Sequence, residues 1–218
     1  MFALLGPNGA GKTTTIRMLS TVLKADSGEI TIGGHSIRKN AESVRALIGV
    51  CPQELALYED LSAMENLIFF GRMDGLNTRD ARAQAEEYLK LMGLQDRAKG
   101  RVAKFSGGMK RRLELARGLL HHPKVLFLDE PTLGLDPQTR NRIWEYILEL
   151  RQREGTTIFL TTHYMDEADR LCNRIAIMDG GQIIAMGTSH ELKSQIGDPE
   201  HTTLEDVFLN MTGRSLRD

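Results

Sequence analysis

A glycine-rich segment near the start of the chain contains the first residues that could do chemistry. Residues 6–13 fit the pattern G-x-x-x-x-G-K-S/T throughout. In this pattern backbone N–H groups surround the α- and β-phosphates of a nucleotide, Lys12 contacts the β- and γ-phosphates, and Thr13 offers its hydroxyl to Mg²⁺. The alternative is a glycine turn with an unrelated lysine. The predicted nucleotide-binding residues are Gly6, Pro7, Asn8, Gly9, Ala10, Gly11, Lys12, Thr13 and Thr14.

Two adjacent carboxylates follow a short apolar run in the second half of the chain. Residues 125–128 have the composition of a buried strand, and Asp129 and Glu130 come directly after it. Unpaired charges are costly to bury, so this pair indicates a site. Because side chains alternate along a strand, we expect Asp129 to face Mg²⁺ and Glu130 to face an attacking water as general base. The alternative is a strand end that reaches solvent.

A second group of small residues could bind another phosphate. Ser106 can cap a helix that begins after it, and Gly107 and Gly108 leave N–H groups exposed at the positive end of that helix. A simple capping turn is the commoner use of such a segment. One compact subunit cannot place a single γ-phosphate on both this helix end and the glycine-rich loop.

The segment around these glycines resembles a known family signature. With Phe105 before it and Met109 after it, the segment resembles the Leu-Ser-Gly-Gly-Gln signature of the ATPase domains of ABC transporters. Met109 and the basic residues 110–112 resemble the exporter branch that includes daunorubicin-resistance and nodulation-type proteins. The resemblance implies ATP hydrolysis by in-line attack of water on the γ-phosphate. It also implies a head-to-tail dimer, in which residues 106–108 of one subunit close on the ATP of the other.

Three further residues occur in the order that this family has. Gln53 resembles the Q-loop glutamine, which implies contact with Mg²⁺ or the attacking water. Asp136 resembles the D-loop aspartate at the dimer interface, and His163 resembles the switch histidine that reaches the γ-phosphate. Taken singly, such residues are usually solvated or structural. Together with the three segments above, their order along the chain makes coincidence negligible.

Short apolar runs alternate with amphipathic stretches, which indicates α/β construction. The resemblance implies a P-loop NTPase fold of the ABC type over residues 1–218, with a mixed sheet core and a partial antiparallel β-subdomain. Apolar residues at helical spacing indicate a helical subdomain inserted at residues 57–104. The first predicted helix is 13–22, and another lies between 128 and 157. The predicted strands are 2–5, 28–33, 47–51, 125–128, 157–161, 174–178 and 182–186, the last as a hairpin partner of the one before it.

Both ends of the chain can be compared with the family. Family members carry two strands before the phosphate loop and an aromatic residue that stacks on adenine. We therefore expect this chain to be truncated at its N-terminal end and to lack that residue; Tyr58 and Tyr164 are the other rings to check. Residues 203–208 resemble the end of the exporter branch. The equal alternative is an amphipathic helix that merely packs on the core.

The composition limits the classes of function. Hydrophobic residues make up 41% and charged residues 26% of the 218 residues, and the formal charge is −1. This is an ordinary globular balance without a bulk field that would attract nucleic acid or anionic lipid. The apolar runs are much shorter than the ~20 residues that span a bilayer. Cys51 and Cys172 have no metal-ligand spacing, so we expect reduced packing residues.

The resemblance implies an ATP-hydrolysing subunit that powers export through a separate membrane permease. The expected cofactors are ATP and Mg²⁺, and the expected partners are a second copy of the subunit and the permease, without nucleic acid. The expected location is cytoplasmic, peripheral on the inner face of the cell membrane. The alternative is a soluble ABC ATPase that acts on DNA or ribosomes. DNA-repair relatives would insert a long coiled coil between Gln53 and Ser106, where this chain has only 52 residues.

Overall fold

The most apolar runs of the chain form the centre of a mixed sheet in the computed structural model, which describes residues 1–213. The strands are β1 (Phe2–Leu5), β2 (Thr31–Ile32), β3 (His35–Ser36), β4 (Ile48–Cys51), β5 (Val125–Asp129), β6 (Thr157–Thr162), β7 (Arg174–Asp179) and β8 (Gln182–Gly187). The six strands of the main sheet have the order β4-β5-β6-β1-β7-β8. Strands β2 and β3 form a separate antiparallel pair.

Helices cover the sheet and fill the connections between its strands. They are α1 (Lys12–Leu19), α2 (Ala41–Arg45), α3 (Ala63–Met73), α4 (Thr78–Leu91), α5 (Gly107–Arg117), α6 (Pro137–Glu154), α7 (Met165–Leu171), α8 (Ser189–Ser194) and α9 (Leu204–Thr212). Within the described part of the chain, the helices are too short or too polar to span a bilayer.

Parallel pairing brings separate motifs to one edge of the sheet. Strands β4, β5, β6, β1 and β7 run in the same direction, so their carboxyl ends lie together. The glycine-rich loop follows β1, β5 ends at Asp129, and β6 ends directly before His163. Gln53 comes two residues after the end of β4. Ligands of open α/β sheets bind outside the carboxyl ends of the strands, so this edge is where a site is expected.

The predicted α/β class and mixed sheet are confirmed, including the β7–β8 hairpin, which pairs antiparallel. Two predicted boundaries are wrong. The predicted strand 28–33 is reduced to Thr31–Ile32, because its partner β3 has only two residues before the chain turns into α2. The predicted helix 13–22 ends at Leu19, because Thr21 adopts a left-handed φ of 65° that a helix cannot continue through.

Residues 57–104, between β4 and β5, contain helices α3 and α4 together with the short 3₁₀ helices Gln95–Arg97 and Val102–Lys104. A capping box starts α3: the Ser62 hydroxyl accepts from the Glu65 N–H at 3.2 Å, and the Glu65 carboxylate accepts from the Ser62 N–H at 2.8 Å. Tyr88 of α4 is fully buried in a hydrophobic cluster that also includes Leu128 of β5. The helices of this segment therefore share their core with the sheet.

The two cysteines are packing residues, as predicted. Both thiols are free, and Cys51 is fully buried while Cys172 is partly buried. Burial raises the pKa of each thiol to about 12. Neither is therefore suited to act as a nucleophile near neutral pH.

Helix α9 closes the described part of the chain. Thr203 caps it by accepting from the Asp206 N–H at 3.1 Å. Leu204, Val207 and Phe208 are buried, whereas Leu209 is 48% exposed. The segment 203–208 therefore packs on the core as an amphipathic helix.

This packing predicts that alanine substitutions at two neighbouring positions lower the free energy of unfolding by different amounts. Phe208→Ala removes a fully buried ring and should lower the free energy of unfolding by about 3–5 kcal/mol. Leu209→Ala, on the exposed side of the same helix, should change it by about 0.5 kcal/mol or less. Urea denaturation of both variants measures the difference. Equal losses would contradict the assignment of α9 to the core.

Candidate active site

The glycine-rich loop is held against the carboxyl edge of the sheet by backbone contacts. The Gly6 N–H donates to Thr162 O at 3.2 Å, and the Gly181 N–H donates to Ala10 O at 3.0 Å. A Cβ atom at Gly6 would lie 2.2 Å from the carbonyl oxygen of Met178, so no side chain fits there. Gly6 and Ala10 therefore shape the loop without lining the cleft that it borders.

A cleft of 210 Å³ lies beside this loop. It is lined by most of the predicted residues of the glycine-rich loop and by two residues that follow other strands. The residues that line it are Pro7, Asn8, Gly9, Gly11, Lys12, Thr13, Thr14, Gln53 and Glu130. A larger cleft of 490 Å³ lies between α6 and α7 and contains none of these residues. Tyr58 and Tyr164 do not line the 210 Å³ cleft, and Tyr164 instead contacts the His163 ring with a centroid separation of 4.1 Å.

Lys12 is held by both the loop and a carboxylate. Its Nζ donates to the carbonyl oxygens of Gly6 at 2.8 Å and Pro7 at 3.1 Å, and it lies 3.1 Å from Glu130 Oε1. The other oxygen of that carboxylate, Oε2, is joined to His163 Nδ1 by a hydrogen bond of 2.8 Å. Lys12 and Glu130 are only 6% and 5% exposed. The structure thus joins Lys12, Glu130 and the partly exposed His163 into one polar chain.

The backbone of Glu130 differs from the sequence expectation. Alternation along a strand was expected to separate Asp129 from Glu130, but β5 ends at Asp129 and Glu130 adopts a left-handed φ of 48°. Its N–H donates to Thr161 O at 3.2 Å and to Thr161 Oγ1 at 3.1 Å. Such a conformation costs a non-glycine residue on the order of 1–3 kcal/mol and occurs often at functional sites. The bend, and not strand alternation, is what turns the carboxylate towards Lys12.

Side-chain oxygens from three segments lie together at Asp129. Its Oδ1 accepts from Thr13 Oγ1 at 3.2 Å and also from Thr161 Oγ1. Among residues 1–213, no group of three or more His, Cys, Asp and Glu side chains could form an all-protein metal cage. Mg²⁺ does not need one, because it usually binds one or two carboxylates together with substrate phosphates. Thr13 and Asp129 therefore fit a Mg²⁺ ion that arrives with a nucleotide.

The second predicted phosphate-binding segment lies on a different surface. Ser106 Oγ caps α5 by accepting from the Met109 N–H at 3.3 Å. A Cβ atom at Gly108 would lie 2.5 Å from Thr139 Cγ2, so the start of α5 touches the start of α6. Asp136 caps α6 by accepting from the Thr139 hydroxyl at 2.5 Å and from the Thr139 N–H at 3.0 Å, and these hydrogen bonds lower the pKa of its carboxyl. Residues 106–108 and Asp136 thus form one partly exposed surface, separate from the cleft beside Lys12.

Sequence reasoning missed three residues that support the site. Thr161 lies opposite Asp129 in the β5–β6 register, and this pairing became visible only with the topology. Arg111 donates from α5 to backbone carbonyls next to Glu130. Glu167 of α7 is fully buried. None of the three was assigned a role from the sequence, since each acts through long-range contacts.

Glu167 connects three elements behind the site. Its Oε1 accepts from Thr132 Oγ1 at 2.8 Å and from Trp144 Nε1 at 2.8 Å. Burial raises the pKa of this carboxyl above its ordinary value of 4.5, although hydrogen bonds from Thr162, Trp144 and Thr132 oppose the shift. The folded protein therefore holds this proton more tightly than the unfolded chain does.

The loop, the buried lysine and the carboxylate of the neighbouring strand define a P-loop nucleotide-binding fold. A family model described as "ABC transporter" matches residues 1–133, which is more than half of the 218 residues. The chain therefore belongs to the ABC transporter ATP-binding family.

Curated relatives place it in the exporter branch predicted above. It is 50% identical to the linearmycin resistance ATP-binding protein LnrL of Bacillus subtilis, over 90% of this chain and 63% of that protein. It is 49% identical to the daunorubicin resistance ATP-binding protein DrrA3 of Streptomyces coeruleorubidus, over 89% and 61%. It is also 49% identical to the Nod factor export ATP-binding protein I of Paraburkholderia xenovorans, over 98% and 73%. The chain thus spans about three fifths of the length of the first two.

Solved structures agree with this fold. An ATP-binding subunit of an ABC transporter superposes with a TM-score of 0.84 at 31% identity, over 97% of this chain and 88% of that one. The ATP-binding cassette MJ0796, a dimer in a post-hydrolysis state with bound ADP and Pi, superposes with a TM-score of 0.77 at 25% identity, over 86% and 84%.

The buried carboxyl of Glu167 generates a prediction about pH. Because its native pKa is raised, this group makes the protein less stable as pH rises from 4.5 through the native pKa. Glu167→Gln removes the titration, so the variant should gain stability relative to wild type across that window. Glu149→Gln, on the exposed side of α6, is the control and should follow the wild-type profile. Urea unfolding at a series of pH values tests this, and a constant difference between Glu167→Gln and wild type would contradict it.

Proposed function

We propose that this chain binds Mg-ATP, hydrolyses it and thereby powers an exporter of the ABC type. The observation that carries the proposal is the buried contact of Lys12 with Glu130, whose second oxygen is bonded to His163 beside the glycine-rich loop. This contact supports the proposal, because ATP hydrolysis needs a cation at the terminal phosphate and a group that orients the attacking water.

The proposed reaction assigns one task to each of these groups. The loop N–H groups and Lys12 bind the phosphates, and the phosphates replace Glu130 as the partner of the ammonium group. The released carboxylate then accepts a proton from a water molecule. This water attacks the γ-phosphate in line with the bond to the departing ADP. His163 donates to the developing charge of the γ-phosphate. When bound, Mg²⁺ would be held by Thr13 and Asp129, with Gln53 nearby, and would neutralise phosphate charge.

A head-to-tail dimer completes this proposal. The capped start of α5 carries Ser106, Gly107 and Gly108 on a surface separate from the cleft, so a second subunit is needed to bring these N–H groups to the same phosphate. Asp136 lies beside them and would face the partner. That MJ0796 is dimeric with bound ADP and Pi supports the same arrangement here.

The permease partner would dock on an aromatic cluster that begins five residues after Gln53 in the sequence. Tyr58, Phe69 and Phe70 pack together with ring centroids 5.1–5.8 Å apart, and Tyr58 and Phe69 are 51% and 40% exposed. Large apolar side chains of this kind at a surface are typical of protein interfaces. We propose that residues 57–104 act as the helical subdomain of one nucleotide-binding domain, and that it meets a membrane protein here. The subunit would then lie on the cytoplasmic face of the membrane, as a peripheral protein.

The exporter reading also rests on the relatives, whose names describe resistance to linearmycin and daunorubicin and export of Nod factor. No observation favours an ATPase that acts on DNA or ribosomes.

Substitution of the proposed base is the direct test. Glu130→Gln keeps the shape of the side chain but removes the proton acceptor, so ATP binding should persist while hydrolysis falls by ~10²–10⁴-fold. The variant should also remain an ATP-bound dimer in size-exclusion chromatography, because no product forms to open it. Glu145→Gln, exposed on α6, is the control and should hydrolyse ATP normally. Near-normal turnover by Glu130→Gln would remove this residue from the mechanism.

Mixing two inactive variants tests the shared site. Ser106→Arg should abolish hydrolysis while the isolated subunit still binds ATP, because Ser106 contacts only the partner's nucleotide. Lys12→Ala should fail to bind ATP tightly. A heterodimer of the two contains one site built from an intact loop and an intact signature, so mixing should restore activity. If Ser106→Arg weakens ATP binding as much as Lys12→Ala does, the assignment of the signature to the partner's site is wrong.

A further inference from the structure

We propose that Arg111 is a positioning residue for hydrolysis, which holds Glu130 and Gln53 in register with the start of α5. The inference rests on the proposed function and adds a residue to it. Arg111 lies in α5, five residues after Ser106, and its side chain is only 5% exposed. It points back into the chain's own site and not towards the surface that carries the signature.

Three N–H groups of one guanidinium bind three backbone carbonyls. Nε donates to Pro131 O at 2.7 Å, Nη1 donates to Pro52 O at 2.7 Å, and Nη2 donates to Asp129 O at 2.9 Å. The acceptors belong to two segments that are far apart in sequence. One segment follows β5 and the other follows β4. The side chain therefore fixes the spacing between these two loops.

The three carbonyls bracket the residues that the proposed reaction uses. Asp129 and Pro131 stand on either side of Glu130, whose left-handed φ of 48° needs support from its surroundings. Pro52 directly precedes Gln53, which lines the cleft. The bond to Asp129 O fixes the peptide plane directly before Glu130, and the bond to Pro131 O fixes the peptide plane that begins one residue after it. The direction of its carboxylate depends on them.

The chemistry of the side chain favours positioning over packing. Among residues 1–213, no carboxylate forms an ion pair with Arg111: its N–H groups bind carbonyl oxygens, and the carboxylates of Glu114, Glu167 and Asp129 act on its charge without direct contact. Burial lowers the pKa of this guanidinium, which shows that keeping the charge in place is costly. A hydrophobic side chain of similar volume would fill the same space at lower cost. Only a planar group with several N–H donors reaches three carbonyls at once.

This placement links the two halves of the shared site. The helix that begins at Ser106 faces the nucleotide of the partner, and one and a half turns later Arg111 holds the base of the same chain. A shift of α5 when the dimer closes is therefore transmitted to Glu130 and Gln53. In this way the engagement of one nucleotide adjusts the hydrolysis of the other.

The test compares two neighbouring arginines. Arg111→Lys keeps the charge but loses the fork, whereas Arg112→Lys changes a partly exposed side chain that donates to Met92 O at 2.7 Å. We expect Arg111→Lys to lower kcat on the order of 10–100-fold, as misplaced catalytic groups do, with ATP affinity by calorimetry and thermal unfolding unchanged. Arg112→Lys should retain the wild-type kcat. In the Glu130→Gln background, Arg111→Lys should cause a smaller further loss of hydrolysis than in wild type, because of the two groups that it positions only Gln53 remains.

Several results would overturn this inference. A wild-type kcat in Arg111→Lys would do so, as would a loss of ATP affinity with kcat unchanged, or an additive loss in the double variant. If Arg111→Lys does not fold, Arg111→Gln, which keeps N–H donors without the charge, is measured in the same way and judged by the same outcomes. Hydrolysis by wild type and Arg112→Lys keeps the proposed function in place even if Arg111 fails. Absence of hydrolysis in wild type would overturn both.

Discussion

Two opposite charges, on Lys12 and Glu130, are buried together 3.1 Å apart at the carboxyl edge of the sheet. Neither charge could be buried there alone, because removing one partner of such a pair leaves the other uncompensated. The ammonium group also needs the loop carbonyls of Gly6 and Pro7, and the carboxylate needs His163. Each contact comes from a different strand end. The parallel order of β5, β6 and β1 is thus the arrangement that lets this pair exist.

The pair also bears on the order of events in the proposed reaction. The lysine and the carboxylate satisfy one another beside a cleft of 210 Å³. A triphosphate brings negative charge that competes with Glu130 for Lys12. In the proposed reaction, nucleotide binding therefore also activates the base, because the phosphate that takes over the ammonium group releases the carboxylate. Asp129 stays apart from this exchange, because its oxygen is held by the hydroxyls of Thr13 and Thr161.

Much of the fold could be predicted from the sequence, because buried parallel strands are continuous apolar runs and the phosphate loop has fixed glycines. The end of α1 and the bend at Glu130 could not be predicted. Both depend on residues with positive φ, Thr21 and Glu130, whose types give no local signal. Arg111 and Thr161 were missed for a different reason: their partners lie 18–59 and 32 positions away, so only the assembled sheet brings them together. The roles predicted for the site residues remain predictions, those of Lys12, Thr13, Asp129 and Glu130 as well as those of Gln53, Ser106, Asp136 and His163.

The close approach of Gly108 to Thr139 has a mechanical consequence for an assembled dimer. A Cβ atom at Gly108 would lie only 2.5 Å from Thr139 Cγ2, so the start of α5 packs directly against the start of α6. Both are capped by their own side chains, Ser106 and Asp136. We therefore expect the starts of α5 and α6 to move together when a partner binds. Their contacts with the partner would then form and break together, and not one residue at a time.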